Sequence, residues 1–252
     1  MTQQSTLILV GAGPGDPDLI TVKGIKALKE ADIVLYDALI DPELLYYCKK
    51  ACIKQYVGKR AGQHSLTQKE ICNLIIKLSN KYKTIVRLKG GDSFVFGRAT
   101  EEIEAARSAG MEVKVVQGIS SALAVPASAF IPLTSRGISQ SFWVATGTTK
   151  DGKLSKDIYL AAQSTATIVL LMAMNHLPEI MSVFLNYNRG NTPVAIIQEG
   201  CTGRQKMICA DVNNICRLAE EHQMSNPSVV IIGDVVLSQQ ELSGIASLKQ
   251  AI

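Results

Sequence analysis

Short strand-length runs and helical stripes alternate along the first half of the chain. Leu7–Val10, Ile33–Tyr36, Ile53–Val57, Thr84–Leu88 and Glu112–Val116 are rich in aliphatic and β-branched residues. Between them apolar residues recur at three- and four-residue spacing: Leu19, Ile20, Val22, Ile25 and Leu28, then Ile71, Leu74, Ile75 and Leu78, then a stretch from about Ala99 to Ala109 ended by Gly110. That spacing lays one apolar stripe along a helix. The start signals agree with it. Thr21 is a candidate N-cap, Asp41-Pro42-Glu43 places proline in a first turn, and Thr67-Gln68-Lys69-Glu70 is a capping box. Regular alternation of this kind predicts an α/β domain whose parallel sheet is covered by helices.

The pattern changes after Gln117-Gly118. Ile119–Ala129 is a run of small residues interrupted by Pro126, and Pro132–Gly137 is a polar turn. Strands are expected at Ser141–Ala145, Thr167–Met172, Val194–Gln198, Gln205–Ile208 and Ser228–Ile232, with helices near Leu177–Tyr187 and Asp211–Gln223. Gln205–Ile208 follows the preceding strand so closely that a hairpin is expected, and with it a mixed sheet. The expectation is therefore two α/β domains, 1–118 with a mainly parallel sheet and 119–240 with a mixed one, followed by a tail over 241–252. Gln117-Gly118 is the expected hinge, and the cofactor cleft is expected between the domains.

The first strand runs into Gly11-Ala12-Gly13-Pro14-Gly15-Asp16-Pro17. A dinucleotide fingerprint needs a sixth-position glycine where Asp16 stands, and two prolines remove N–H groups that would face a pyrophosphate. No Gly-Lys-Ser/Thr ends the loop, so the Walker A pattern fails too. Asp37 nevertheless ends the second strand, where a dinucleotide-binding protein keeps its ribose acid. A nucleotide-type ligand with no phosphate to grip, such as S-adenosylmethionine, satisfies both observations. Gly58–Gly62 and Gly90-Gly91-Asp92 follow other strands, and in a parallel sheet all these turns share one edge. Asp37 and Asp92 are either functional acids there or turn formers. Lys59, Arg60, Arg87, Lys89, Arg98 and Arg136 cluster at the same turns, which suits a substrate with several carboxylates.

Composition narrows the classes. Aromatics at 5% argue against nucleic-acid recognition by base stacking, and a net charge of +4 is too small to imply a polyanion. Six cysteines without a CxxC pair read as buried free thiols, and His64, His176 and His222 show no metal-ligand spacing, so no metal is expected. Met172 and Met174 are by default core filler. The N-terminus lacks a charged leader and no apolar run reaches ~18 residues, so a cytoplasmic protein without a membrane span is expected.

Taken together, these blocks resemble the uroporphyrinogen-III C-methyltransferases, S-adenosylmethionine enzymes that make precorrin-2. The similarity runs from about Leu7 to Val236. It comprises Val10–Pro17, Leu35-Tyr36-Asp37, Val57-Gly58-Lys59-Arg60, Arg87–Arg98, Val116–Ser121, Ile131–Arg136, Pro193–Gly200 and Pro227–Gly233, in family order. The opening loop is shared by the wider tetrapyrrole methyltransferase class, whereas Gly58-Lys59-Arg60 and Arg87–Arg98 are more specific. The resemblance implies Pro14, Gly90, Gly91, Asp92, Val95, Ser120, Ser121, Met172 and Gly200 as cofactor contacts. It implies Asp37 as general base, Lys59 as general acid, and a homodimer. Arg60, Arg87, Arg98 and Arg136 are expected at the substrate's carboxylates, with methylation at C-2 and then C-7. Ser93 stands where proline is usual, Ser120-Ser121 where Thr-Ala is common, and Cys201 where threonine is usual. No dehydrogenase–chelatase region precedes the block, so the chain is expected only to methylate, for sirohaem or cobalamin. Two alternatives stay open: a class member acting on a later corrinoid, diphthamide or RNA, and a non-catalytic nucleotide-binding module.

Overall fold

The computed structural model describes residues 4–58, 66–239 and 242–243. The chain divides into two compact units, Met1–Ser121 and Ala122–Ile252.

The first unit contains β1 (Thr6–Gly11), α1 (Val22–Glu30), β2 (Ile33–Tyr36), β3 (Ile53–Tyr56), α2 (Gln68–Ser79), β4 (Thr84–Lys89), α3 (Ala99–Ser108) and β5 (Glu112–Val116). Its five strands pair in the order β3-β2-β4-β1-β5 and all are parallel, as the alternation predicts. Successive side chains point to opposite faces of a strand. Ile8 and Val10 of β1 thus meet Ala27 and Leu28 of α1 on one face, while Leu7 and Leu9 meet Ile71 and Ile75 of α2 and Ala106 of α3 on the other. Thr21 and Thr67 cap α1 and α2, the latter through the full capping box with Glu70. One expectation splits in two. Asp16 caps a separate 3-10 turn at Pro17–Leu19, Ile20 returns to extended backbone, and the helix begins only after Thr21. Asp41 likewise starts a 3-10 helix, Pro42–Tyr47.

The second unit contains α4 (Ser121–Ser128, its first residue still in the first unit), β6 (Phe142–Thr146), α5 (Asp157–Ala161), β7 (Thr167–Leu171), α6 (Leu177–Asn186), β8 (Pro193–Gln198), β9 (Lys206–Asp211), α7 (Ile215–Glu221) and β10 (Ser228–Ile232). The sheet order is β6-β7-β10-β8-β9; β6 and β7 are parallel and the other pairs antiparallel, including the expected β8–β9 hairpin. Phe184 and Ile180 of α6 pack with Ile168, Leu170, Val194 and Ile196 on one face. Val125 of α4 packs with Val169, Ala195 and Ile231 on the other. The region expected as one helix from Asp211 is strand to Asp211 and helix only from Ile215, because Asp211 Oδ1 accepts from the Asn214 amide and closes a turn there.

What positions the loops of the first sheet is glycine. A Cβ on Gly118 would lie 2.2 Å from the Gly91 carbonyl oxygen, and one on Gly11 would lie 2.6 Å from Gly118 Cα and 2.7 Å from that same oxygen. Gly13 and Gly91 exchange backbone hydrogen bonds, Gly13 N to Gly91 O at 3.2 Å and Gly91 N to Gly13 O at 2.6 Å. Further along the edge, a Cβ on Gly90 would strike Leu39 Cβ at 2.7 Å, and one on Gly58 the Ala38 amide nitrogen at 2.5 Å. Each pair of neighbouring strand ends is closed by a contact only glycine permits. At the opposite edge Asp32 joins β2 to β4, accepting from the Thr84 amide at 2.9 Å and from Lys49 Nζ at 2.6 Å.

Gly118→Ala should lower unfolding stability by about 3 kcal/mol or more, since backbone rather than a movable side chain blocks the methyl. Gly203→Ala, with nothing within 4 Å and no positive φ, should stay within about 0.5 kcal/mol; urea midpoints would decide both. The Lys49 hydrogen bond, with the Thr84 amide, holds the Asp32 carboxyl below its ordinary value against the opposing effect of burial. A depressed folded-state value stabilises above the unfolded value and is lost as pH falls through the folded one. The Tm gap between the native chain and Asp32→Asn should therefore close on acidification below about pH 4, and a gap constant with pH would refute it.

Candidate active site

The carboxyl ends of β1, β2 and β4 bring together the acid and the turns expected from sequence. Asp37 follows β2, and its side chain is about a quarter exposed. Its Oδ2 accepts from Arg87 Nη2 at 3.2 Å, while Oδ1 is buried with no hydrogen-bond partner among the described residues. Arg87 and Lys89 lie two apart on β4 and so point to the face covered by α3. There Glu102, fully buried, accepts on Oε1 from Arg87 Nε at 3.2 Å, Lys89 Nζ at 2.9 Å and Gln68 Nε2 at 3.1 Å. Burial, with Arg87 beside it, pushes the Lys89 ammonium below its ordinary value, and Glu102 opposes that shift.

The structure places Arg87 differently from the expectation of a substrate clamp. It is only 3% exposed, and its guanidinium donates to Glu102, Asp37 and the carbonyls of Leu35 and Leu88. A guanidinium so covered and so occupied has no open fork for an arriving carboxylate. Arg98 and Arg136 are exposed. Arg98 precedes α3 in left-handed backbone and forms a bidentate pair with Glu101 at 2.7 Å. Lys59 and Arg60 lie outside the described residues, as does His64.

The expected cofactor contacts of the first unit gather at the glycine seam. Pro14 is half-buried beside the Gly13–Gly91 bridge. Asp92 accepts from the Gly118 amide at 2.9 Å and the Phe94 amide at 2.8 Å, so its carboxylate ties the β4 loop to the β5 loop. Val95 donates to the Asp92 carbonyl, Ser120 is buried, and the Ser121 amide nitrogen would lie 3.8 Å from a Cβ on Gly91. Ser93 is buried as well, its hydroxyl without a hydrogen-bond partner among the described residues.

In the second unit Met172 follows β7 in left-handed backbone with 47% exposure, and its carbonyl accepts from Thr148 Oγ1. That exposure separates it from the core filler that methionine usually is. Gly200 is buried in the β8–β9 turn, where a Cβ would meet Val125 Cγ1 at 2.3 Å, between Glu199 and Cys201, both at positive φ. None of the six cysteines forms a disulfide, but against expectation only Cys52 is buried and Cys209 is exposed; burial with Cys52 alongside pushes the Cys48 thiol up to about 12. Glu102 is the participant that sequence reasoning missed. Its signal was indirect: two cations on one face of a strand that is otherwise apolar after Thr84 require a buried acid.

The edge offers little to a phosphate. The amides of Ala12, Gly13, Gly91 and Gly118 all donate to acceptors within the protein. That is the opposite of an anion-binding loop, whose amides point outward. Among the described residues no helix is long and apolar enough to cross a membrane.

Comparison with known proteins agrees with this geometry. Residues 6–216 match the family model of tetrapyrrole (corrin/porphyrin) methylases. The chain is 46% identical over 232 residues to a uroporphyrinogen-III C-methyltransferase of Methanocaldococcus jannaschii, covering 91% of this chain and 96% of that one. It is 40% identical over 239 residues to a siroheme synthase of Pseudomonas paraeruginosa, covering 93% of this chain but only 51% of the relative. The uroporphyrin-III C-methyltransferase of Thermus thermophilus, solved with S-adenosylhomocysteine, superposes with a TM-score of 0.79 at 32% identity, over 92% of this chain and 99% of that one. With an all-parallel sheet closed by glycine at its carboxyl edge and a mixed sheet in its second unit, the chain belongs to the tetrapyrrole methylase family.

Proposed function

We propose that the chain methylates uroporphyrinogen III at C-2 and then C-7, using S-adenosylmethionine, and so makes precorrin-2 for sirohaem or cobalamin synthesis. One observation carries this reading: Asp37 stands, partly exposed, at the carboxyl edge of the first sheet with one oxygen paired to Arg87 and the other buried without a hydrogen-bond partner among the described residues. S-adenosylmethionine supplies, when bound, a methyl group already activated on a sulfonium, so the protein's main task is placement. Pro14, Gly90, Gly91, Asp92, Val95, Ser120 and Ser121 are proposed to hold it in the first unit, and Met172 and Gly200 in the second. The inward-turned amides support a ligand without phosphate.

In this reading the partly exposed Asp37 carboxylate accepts a proton as the methylated ring rearranges, and Lys59 is the general acid. Arg60, Arg98 and Arg136 hold substrate carboxylates by their forked donors. Arg87 stays with Asp37. The resemblance also supports a homodimer, and the free thiols suit a cytoplasmic setting.

The primary test is anaerobic incubation with uroporphyrinogen III and S-adenosylmethionine, followed by mass and visible spectrum. A gain of two methyl groups with a dipyrrocorphin spectrum is expected. Binding of S-adenosylmethionine without any methylation would move the substrate to another member of the class, and no binding would leave a non-catalytic module. For the proposed base, Asp37→Ala should reduce turnover by about 100-fold or more while leaving S-adenosylmethionine affinity unchanged by calorimetry. Unchanged turnover would remove Asp37 from that role.

A further inference from the structure

The proposed base is one of four charged side chains that meet, and the other three have been given no work. Asp37 ends β2, Arg87 and Lys89 lie on β4, and Glu102 lies on α3; these are the charged groups in contact there among the described residues. Glu102 is fully buried, Arg87 is 3% exposed and Lys89 5%. Burying such a cluster is costly, and apolar residues of similar volume would serve stability as well or better. Its geometry is directional. Glu102 takes three donors on Oε1, one each from α2 and two positions of β4, and its Oε2 has no hydrogen-bond partner among the described residues. Arg87 consequently presents Nε to Glu102, Nη1 to two backbone carbonyls and Nη2 to Asp37, so its plane has no remaining freedom.

We propose that Glu102 is a positioning residue for methyl transfer: by anchoring Arg87 it holds the Asp37 carboxylate in one orientation, with Oδ2 on the guanidinium and Oδ1 turned inward. The inference rests on Asp37 as the base. A guanidinium released from Glu102 could swing to pair with both Asp37 oxygens, the bidentate arrangement it prefers. The carboxylate would then be turned from its present orientation, with both oxygens occupied. Lys89 has a second part in the same arrangement. It shares Glu102 Oε1 with Arg87 and neutralises the remainder of the buried charge. No atom of Glu102 need touch substrate for this effect.

The test combines Glu102→Gln, Arg87→Lys and the double variant, with Asp37→Asn in parallel, each measured for kcat and for S-adenosylmethionine Kd. Glu102→Gln and Arg87→Lys should each lower kcat by about 10- to 100-fold, the scale of a displaced catalytic group. The Kd should stay within about twofold of the native chain, because no binding contact is removed. The double variant should be no worse than the poorer single, since the two act as one unit. Native kcat in Glu102→Gln, fully multiplying losses in the double variant, or a Kd that rises in step with the fall in kcat would each overturn the proposal.

If Glu102→Gln does not fold, Lys89→Met/Glu102→Gln removes the stranded cation along with the anion. That variant should fold with kcat still lowered; native kcat, or failure to fold again, would assign Glu102 to stability alone. Native turnover in Asp37→Asn would remove the base itself and this inference with it. An impaired Asp37→Asn beside an unimpaired Glu102→Gln overturns the positioning role only.

Discussion

The carbonyl oxygen of Gly91 lies so close to the backbones of Gly11 and Gly118 that neither position can carry a side chain. Much else at the carboxyl edge of the first sheet depends on that approach. It draws the loops after β4, β1 and β5 together until backbone meets backbone. Gly13 and Gly91 then satisfy each other's amides, and Asp92 reaches the Gly118 amide. Loops usually owe their shape to solvent-exposed turns and carry the mobility that goes with them. Here one backbone bridge, Gly13 with Gly91, and one carboxylate–amide bond, Asp92 with Gly118, tie three loops together above the strands. A site built on such ties is preorganised, which is the main requirement when the reacting group arrives already activated.

Much of the fold was legible because its signals are local. Ile33–Tyr36 and Ser228–Ile232 are strands with the bounds their apolar runs imply, and Thr67 and Glu70 form the capping box that their spacing announces. The misses have physical causes. Ser121–Ser128 is a helix despite Pro126, because small apolar residues give a weak stripe while Ala122 and Val125 still bury one face. Asp157–Ala161 is too short to show periodicity at all. Asp211 ends a strand rather than starting a helix because the strand pairs along its whole length with β8, a long-range fact.

The site divides the same way. Glycine-rich turns after strands could be read directly, but which glycine meets which backbone depends on the order β3-β2-β4-β1-β5, and strand order is invisible in a linear pattern. Arg87 illustrates the limit. Beside a Gly-Gly-Asp turn it looks like a surface cation available to a ligand. Its position within a buried strand instead gives it a partner on α3, and the pairing with Glu102 spans fifteen residues with a turn between. Only Lys89, two residues on and equally inward, hinted that this face of β4 was charged.

An aspartate ending the second strand of an open parallel sheet is common to dinucleotide-binding proteins and to this chain, yet the surroundings direct it to different ends. A ribose-binding acid must offer both oxygens to hydroxyl donors from the ligand side. Asp37 has one oxygen drawn inward by a buried guanidinium, which is itself anchored by a buried carboxylate. Amides that would hold a pyrophosphate are equally withdrawn, closed on carbonyls and on Asp92. Both departures remove ligand-gripping capacity from the edge, and both leave its shape intact. What persists is a glycine-closed edge with one partly exposed aspartate oriented by a buried guanidinium. That combination suits the proposed transfer of a methyl group from a phosphate-free adenosine followed by loss of one proton, and it suits dinucleotide binding poorly.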